Sequence, residues 1–121
     1  MESNIAGRME SKGCRMKSTR GYCPRPLESA SAFLSKKWTI SLVITLGNFK
    51  KLRFNDIERR LEGITAKTLT DRLRELERER IAKREVYPEI PPRVEYSLTG
   101  RGKQLMEALI PLIRWAEKGQ P

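Results

Sequence analysis

One sharp corner between two helical patterns restricts the fold of this chain more than any other feature of its sequence. Residues 54–61 repeat apolar side chains at the spacing of one helix face, and Gly63 then interrupts the pattern. Thr65 belongs to the residue types that cap helices, and a second helical pattern follows it over residues 66–80. The apolar stripe of this second pattern consists of Leu69, Leu73 and Leu76. The sequence therefore predicts two short helices that meet at a tight, glycine-containing turn.

Helical spacing also marks three stretches outside this pair. Apolar residues indicate a first helix over residues 27–34, with Pro26 in its first turn, and a second helix over residues 38–48. A last helix is expected to run from Thr99, which can cap it, to about Glu117. Five helices are therefore expected in all.

A β-hairpin is predicted between the fourth helix and the last. Residues 93–98 alternate between apolar and polar side chains, as a half-buried strand does, and residues 83–87 are the expected antiparallel partner. The connecting residues 88–92 contain three prolines and predict a stiff tip. The fold class predicted from this order is mainly α with a small β-hairpin wing, a winged helix-turn-helix.

The outward side of the fourth helix carries the side chains that would reach DNA. With Leu69 on the buried side and about 100° per residue, Lys67 and Arg74 point outward. Residues near the N-terminal end of such a helix are the ones that contact bases. The predicted DNA-binding residues, including one before the pair and one in the hairpin, are Arg53, Thr65, Lys67, Thr68, Thr70, Asp71, Arg74 and Arg93.

A plainer interpretation of this charged face is that it is only solvated. Acidic and basic residues three or four positions apart on one helix can pair with each other, which would leave the face without a partner molecule. Arg72 lies near the buried boundary of the helix, so we expect it to be an intramolecular partner. Agreement between the fold and the net charge favours nucleic-acid contact for the face as a whole.

The hairpin supplies a second expected contact with DNA. Arg93 stands at the base of the stiff tip, on the strand face opposite Val94 and Tyr96. An arginine so placed can enter a minor groove or bind its rim. The alternative is that Arg93 pairs with Glu95 or Glu85 across the hairpin. Arg53, just before the helix pair, is expected to clamp a phosphate by the same argument.

The charge balance agrees with a polyanionic partner. The chain has 25 Lys+Arg and 15 Asp+Glu, for a net charge of +10, and nucleic acid is the default partner of such a chain. Membrane-surface binding would require a basic amphipathic helix, and no apolar run approaches the roughly 20 residues of a membrane span. The 121 residues contain no histidine, which argues against most hydrolytic and metal chemistry. We therefore expect no enzymatic activity, no cofactor, no metal site and no membrane partner.

Two regions are expected along the chain. Residues 1–22 carry five basic and two acidic residues with few apolar ones, which predicts a basic flexible arm. Residues 23–118 predict the DNA-binding domain with its dimerisation helices. Cys14 and Cys23 do not form a disulfide framework, and without an apolar signal segment we expect reduced thiols in a cytoplasmic protein.

Several short motifs together resemble the HxlR-type winged-helix transcriptional regulators, from Cys23 to about Ala116. The matching stretches are Cys23-Pro24, Lys37-Trp38-Thr39, Arg53-Phe54, GITAKTLTDRLRELE at 63–77, YPEIPPRVEYSLTGRG at 87–102, and Trp115-Ala116. The resemblance implies a homodimeric, cytoplasmic DNA-binding protein, often a regulator of detoxification or redox-stress genes. Two departures stand out: Ser35-Lys36 replaces a pair of small residues, and the loop at 47–51 is more basic than usual.

Cys23 occupies the position at which some members of this family carry a cysteine that senses oxidants or electrophiles. The nearby Arg25 and the start of a helix would also favour its thiolate. The alternative is a partly buried, small apolar residue with no switching role. Cys23 is therefore a candidate redox-sensing residue.

A dimer is predicted from surplus apolar surface on the terminal helices. The last helix has more apolar side chains than one amphipathic stripe needs, so part of it requires a partner surface. The alternative is that all of them close over a single core. The predicted dimer-interface residues are Leu27, Phe33, Leu34, Leu105, Leu109, Leu112, Ile113 and Trp115.

These patterns predict a homodimeric, sequence-specific regulator of transcription on double-stranded DNA, with a palindromic operator. The predicted docking places the fourth helix in the major groove and the wing at the minor groove. The alternative is a non-specific architectural protein of the nucleoid or chromatin type, and a protein-interaction module is a third class that the net charge disfavours. No small-molecule effector can be identified from the sequence.

Overall fold

The computed structural model describes residues 21–119, which form helices and one small antiparallel sheet. The helices are α1 (Arg25–Leu34), α2 (Thr39–Asn48), α3 (Phe54–Arg60), α4 (Ala66–Arg78) and α5 (Gly100–Lys118), and the strands are β1 (Leu52–Arg53), β2 (Ala82–Tyr87) and β3 (Arg93–Leu98). This order confirms the predicted fold class. None of these helices, all within residues 21–119, is long and apolar enough to cross a membrane.

The chain divides into two units, Met1–Lys37 and Trp38–Pro121. In the first unit α1 begins as expected, with proline in its first turn, and Pro24 is its N-cap. Every other helix and strand belongs to the second unit. The predicted arm, residues 1–22, lies almost wholly outside the described residues, and the boundary expected after residue 22 stays a prediction.

The core of the second unit is formed by apolar faces of three helices. Its fully buried large side chains include Leu42 and Leu46 of α2, Ile57 of α3, and Leu69, Leu73 and Leu76 of α4. Burying each such side chain contributes about 1.5–3 kcal/mol. The leucine stripe predicted for α4 is confirmed, and it fixes which side of that helix faces outward.

The corner between α3 and α4 depends on glycine. Gly63 has φ +96°, a conformation that side-chain-bearing residues rarely adopt, and Ile64 beside it is buried. Thr65 then caps α4, because its hydroxyl accepts a hydrogen bond from the backbone N–H of Thr68 at 3.1 Å. The tight turn and the cap are both as predicted.

Helix α4 ends at Arg78, two residues before the end at residue 80 that the sequence pattern predicts. Arg80 has φ +62°, its N–H donates to the carbonyl of Glu77 at 3.0 Å, and the N–H of Ile81 donates to the carbonyl of Leu76 at 2.8 Å. These paired bonds across a left-handed residue are a Schellman motif, which satisfies the last carbonyls of the helix. The chain leaves this motif directly into β2.

The sheet has the order β1-β3-β2, with both pairings antiparallel. The predicted hairpin is confirmed, with Lys83 opposite Ser97 and Tyr87 opposite Arg93. The short strand β1 was not predicted, and its Leu52 pairs with Tyr96. Since side chains alternate along a strand, Tyr96 and Ser97 belong to opposite faces of the sheet.

Two local predictions were wrong. Trp38 is not the first residue of α2 but its N-cap, with φ +81°. Ser97 was expected on the exposed side of the hairpin, yet it is buried. Strand β3 is central in the sheet, and helices α2, α3 and α5 also contact it, which leaves little of its surface exposed.

Helix α5 is capped by its own first residues and lies close against the turn after α4. Thr99 caps it by accepting a hydrogen bond from the N–H of Gly102 at 3.0 Å, as predicted. A Cβ at Gly102 would lie 2.1 Å from the carbonyl oxygen of Ile81, so only glycine allows this approach. The start of α5 is therefore fixed directly behind the hairpin.

Candidate nucleic-acid interface

The outward side of α4 carries the cationic groups that the sequence predicts. Lys67 and Arg74 are exposed, and Thr70 is half-buried between them and the sheet. Lys67 forms an ion pair with Asp71 one turn away, with 3.1 Å between Nζ and Oδ2. Exposed pairs of this kind contribute only about 0.3–0.5 kcal/mol, so the Lys67 ammonium is readily given up to another anion.

The two threonines predicted to contact DNA are bonded to each other at the start of α4. Thr65 donates its hydroxyl hydrogen to Oγ1 of Thr68 at 3.0 Å while it caps the helix. Their hydroxyls therefore stabilise the N-terminal turn. What this turn presents outward is the positive end of the helix dipole, which favours a phosphate.

Arg72 is an intramolecular partner, as predicted. Its Nη1 lies 3.1 Å from both carboxylate oxygens of Glu75, and both side chains are largely buried. Because Arg72 is held by Glu75, it does not belong to the exposed cations of α4.

A cleft of about 420 Å³ lies between α4 and the sheet. Its lining includes Thr70 and Arg74 from the helix and Arg84 and Tyr96 from the strands. Arg84 is exposed and was not predicted as a functional residue. The strand alternation contained the signal, because Arg84 lies opposite Tyr96 and so shares the face that points to α4. The cleft thus adds a third cation to the predicted pair on α4.

Arg53 and Arg93, the two arginines expected at the edges of the interface, differ in their surroundings. The guanidinium of Arg53 is exposed and forms no ion pair with any residue in 21–119. Arg93 is only 29% exposed; it pairs with Glu89 at 3.1 Å and Glu95 at 3.4 Å and lies over the ring of Tyr87. The pairing with Glu95, left open from the sequence, is therefore present, whereas Glu85 has another partner.

That partner is Lys51, which joins the hairpin to the loop after α2. Lys51 donates to the hydroxyl of Tyr87 at 2.8 Å and pairs with Glu85 at 3.1 Å and Glu95 at 4.0 Å. The hydrogen bond to Tyr87, then that to Glu85, raises the pKa of Lys51 to about 12. The same contact with Lys51 lowers the pKa of Glu85. We call Lys51, Glu85, Tyr87, Glu89, Arg93 and Glu95 the wing network.

The apolar residues predicted at a dimer interface differ in how exposed they are. Leu27 is 68% exposed, Leu112 52% and Trp115 71%, whereas Phe33, Leu34, Leu105 and Ile113 are half-buried. Leu109 departs from the predicted set, because it is only 6% exposed and belongs to the core of the single chain. The exposed members on α5 are separated by about one helical turn and form one stripe.

Cys23, the one cysteine among the described residues, is buried and disulfide-bonded. This corrects the expectation of reduced thiols. The chain has one other cysteine, Cys14, which lies outside the described residues. Within residues 21–119, no group of three or more cysteines and carboxylates is arranged to hold a metal ion.

The profile of the HxlR-like helix-turn-helix family matches residues 33–121 of this chain. The chain belongs to the HxlR-like helix-turn-helix family. Among the proteins similar to this HxlR-like chain is YvaP of Bacillus subtilis (strain 168), named an uncharacterized HTH-type transcriptional regulator. It is 45% identical over 94 residues, which make up 78% of this chain and 85% of YvaP.

Two solved structures resemble the HxlR-like chain at comparable identity. Reduced YodB, a transcriptional regulator from B. subtilis, has a TM-score of 0.70 and 34% identity, over 82% of this chain and 95% of YodB. The redox regulator HypR in its oxidized form has a TM-score of 0.73 and 38% identity, over 79% of this chain and 98% of HypR.

Proposed function

We propose that this protein is a homodimeric transcription regulator that binds a specific sequence of double-stranded DNA, with α4 in the major groove and the hairpin at the minor groove. Family membership and relatives named HTH-type transcriptional regulators support DNA binding and transcription regulation. The observation that carries the proposal is the position of Lys67 and Arg74, exposed on the side of α4 opposite its buried leucines.

In the proposed complex, discrimination between sequences comes from α4. Arg74 has the planar fork that pairs with two acceptors of guanine, and Lys67 can donate to guanine or to a phosphate. Asp71, released from Lys67, can accept a hydrogen bond from the amino group of cytosine. Thr70 lies beside them and can contact a base edge or a thymine methyl group. The threonine cap orients this whole face.

Attraction to the DNA backbone comes from groups around α4. Arg53 and Arg84 are exposed cations on either side of the helix in the chain, suited to phosphates. Arg93 reaches a minor groove only if it leaves Glu89 and Glu95. DNA phosphates must therefore compete with these carboxylates, which makes Arg93 a contact formed on binding rather than one formed in advance.

A second copy of the chain would complete the DNA-binding unit. The exposed stripe of Leu112 and Trp115 on α5 supports burial against a partner, and Leu27 of α1 is a further exposed apolar group. A symmetric dimer presents two copies of α4, so its operator would be palindromic, with half-sites about one helical turn of DNA apart. We expect this activity in the cytoplasm and without a cofactor.

The test is selection of genomic fragments by the purified protein, followed by footprinting of the recovered site. Lys67→Ala/Arg74→Ala should abolish the footprint and leave helicity and thermal stability nearly unchanged. The matched control is Arg114→Ala/Lys118→Ala, which removes the same charge from exposed positions of α5. Equal enrichment of all fragments would instead support the non-specific architectural alternative, and an unchanged footprint of the double variant would contradict the role of α4.

We also propose that the oxidation state of Cys23 regulates DNA binding. HypR is named a redox regulator, and YodB has been solved in reduced and diamide-treated forms. The buried, disulfide-bonded state of Cys23 supports the same chemistry in this chain. Operator affinity measured in reductant and after diamide treatment should differ for the native chain and become equal in Cys23→Ser. Equal affinities of the two native forms would contradict this proposal.

A further inference from the structure

A second cavity, of about 360 Å³, lies at the base of the hairpin. Its strand residues are Lys83 and Ser97, which are opposite one another in the sheet, and Leu98 at the end of β3. The cleft beside α4 uses Arg84 and Tyr96, the next pair along the strands, so the cavity and the cleft adjoin opposite faces of the sheet. The cavity volume falls within the range of small-molecule sites, about 300–1,000 Å³.

The charge of this cavity has one sign. Four lysines line it, Lys50 and Lys51 from the loop after α2, Lys83 from β2 and Lys103 from α5, and no acidic residue does. Lys51 is held by the wing network. The ammonium groups of Lys50, Lys83 and Lys103 form no ion pair with any residue of the described chain. Cations gathered around one cavity repel each other, and a bound anion would remove that repulsion.

The cavity also offers apolar walls and one unused hydroxyl. Leu46, Phe49 and Leu98 line it beside the lysines. Ser97 is buried, and its Oγ has no hydrogen-bond partner among the described residues. Lys83 lies directly across the strand pair from Ser97, so a ligand bound to that lysine would lie next to the hydroxyl. An unpaired buried hydroxyl costs stability, and a ligand acceptor would satisfy it.

We propose that this cavity binds a small organic anion with a flat apolar body, an aromatic carboxylate being the simplest case. The carboxylate would lie among Lys50, Lys83 and Lys103, where charge-assisted hydrogen bonds are available. The apolar body would pack between Phe49 and the leucines. Such a site combines a mostly apolar lining with a few convergent polar groups, as small-molecule sites do.

Lys51 connects this cavity to the wing. It is the one lining lysine that also pairs with Glu85 and Glu95, and Glu95 is shared with Arg93. An anion that draws the Lys51 ammonium into the cavity leaves Glu95 entirely to Arg93. Arg93 is then held more tightly and is less available to DNA. The ligand would therefore weaken DNA binding. That effect on DNA rests on the proposed function, whereas ligand binding to the cavity does not.

The binding test uses calorimetric titration of the full chain with 1-naphthoate as the probe. Saturable binding is expected, about tenfold or more tighter than that of the neutral analogue 1-naphthalenemethanol and of inorganic phosphate. Lys83→Gln/Lys103→Gln removes both charges while keeping part of each aliphatic stem, and it should weaken naphthoate binding by about tenfold or more. The charge-matched control is Arg114→Gln/Lys118→Gln, with expected affinity equal to that of the native chain.

Three results would overturn the site. They are the absence of saturation by 1-naphthoate at about 10 mM, the upper end of weak small-molecule binding, equal binding of the neutral analogue, and equal losses in the two double variants. The proposed coupling is reciprocal, so the competition test uses Arg93→Ala, which should lack it. Displacement of naphthoate from that variant by a short random duplex would assign the lysines to DNA phosphates instead. Ser97→Ala loses no internal hydrogen bond and should fold normally, so an unchanged naphthoate affinity in that variant would remove the hydroxyl from the site.

The effect of the ligand on DNA binding is tested by DNA titration at saturating 1-naphthoate. The control is sodium chloride at equal ionic strength. DNA affinity should fall by about fivefold or more, within the usual range of coupling between two sites. Arg93→Ala should bind naphthoate normally but show no coupling. Normal naphthoate binding without any effect on DNA would contradict the readout through Lys51 and leave both the site and the proposed function standing.

Discussion

The guanidinium of Arg93 lies over the ring of Tyr87, with 4.2 Å between its central carbon and the ring centroid. The same ring is 5.5 Å from the ammonium of Lys51, so two cations converge on one tyrosine in the hairpin. Cation–π contacts of this kind, together with the nearby carboxylates, keep Arg93 in one position before any partner arrives. The wing of this protein is thus an organised polar surface rather than a loose basic loop.

Removing one carboxylate from this surface should strengthen DNA binding. In Glu89→Gln the guanidinium of Arg93 loses its 3.1 Å ion pair and is released more easily to a minor groove. We expect affinity for duplex DNA to rise by about twofold to fivefold, the range of an exposed ion pair. Glu117→Gln removes the same charge from the end of α5 and is the control. If both variants gain equally, the effect is one of net charge alone and Arg93 is not the group released.

The pair formed by Lys51 and Glu85 should show in titrations of the wing. Glu85 has a pKa below its usual value of 4.5, so the contribution of the pair to stability is present above that pH and is lost as pH falls through the lowered value. The pKa of Lys51 is raised from 10.5 to about 12, so its contribution is present below 10.5 and is lost as pH rises through about 12. In Lys51→Gln, carboxylate NMR should find the pKa of Glu85 moved back towards 4.5. An unchanged titration of Glu85 would show that Lys51 does not hold it in solution.

The turn before α4 gives a stability prediction with an internal control. Gly63→Ala places a Cβ at φ +96° and should lower the free energy of unfolding by about 1–2 kcal/mol. Gly100→Ala meets no atom within 4 Å and has ordinary φ, so it should be neutral or slightly stabilising. Urea unfolding of the two variants measures both. Equal stabilities would mean that the corner can adopt another conformation at little cost.

Side-chain periodicity was sufficient to predict the parts of the fold that repeat. The leucine stripe of α4, the caps at Thr65 and Thr99, and the hairpin all follow from local spacing and from residue types that suit one conformation. Strand β1 has only two residues, too few to show a period, and it exists because Leu52 pairs with Tyr96. Trp38 fits helical spacing, yet its backbone is left-handed, a feature that spacing does not encode.

The functional surfaces were predictable to different degrees. The outward side of α4 follows from helix geometry, and Arg84 follows from strand alternation once its partner strand is known. The lysine-lined cavity does not, because Lys50, Lys83 and Lys103 come from three separate elements. Only the basic character of the loop after α2 was visible in the sequence, without any sign of what it faces.

The exposed stripe on α5 predicts the effect of a single charge. Leu112 is 52% exposed in the single chain, so Leu112→Asp should leave the fold intact while placing an unpaired carboxylate in an apolar interface. Sedimentation at micromolar concentration should then find a monomer where the native chain is a dimer. Leu109→Asp should unfold the chain instead, because Leu109 is buried. A native chain that sediments as a monomer would remove the basis for two half-sites.

Salt dependence should separate the basic N-terminal residues from α4. Residues 1–22 contain five positive and two negative side chains, so their deletion changes the charge by −5 + 2 = −3. Each phosphate contact contributes about 0.9 to the slope of log affinity against log salt, whatever the base sequence. Truncation should therefore weaken binding to operator and to random DNA by similar factors. It should make the slope shallower by at most about 4.5, because only five cations are removed at about 0.9 each. Arg93→Ala should reduce the slope by about 1. This variant should lose more affinity for the operator than for random DNA only if Arg93 reads a narrow A·T-rich minor groove.

All titrations are made in reductant, since the truncation also removes Cys14. A truncated chain that binds random DNA normally but no longer prefers the operator would show that these residues read sequence, contrary to the division proposed for α4.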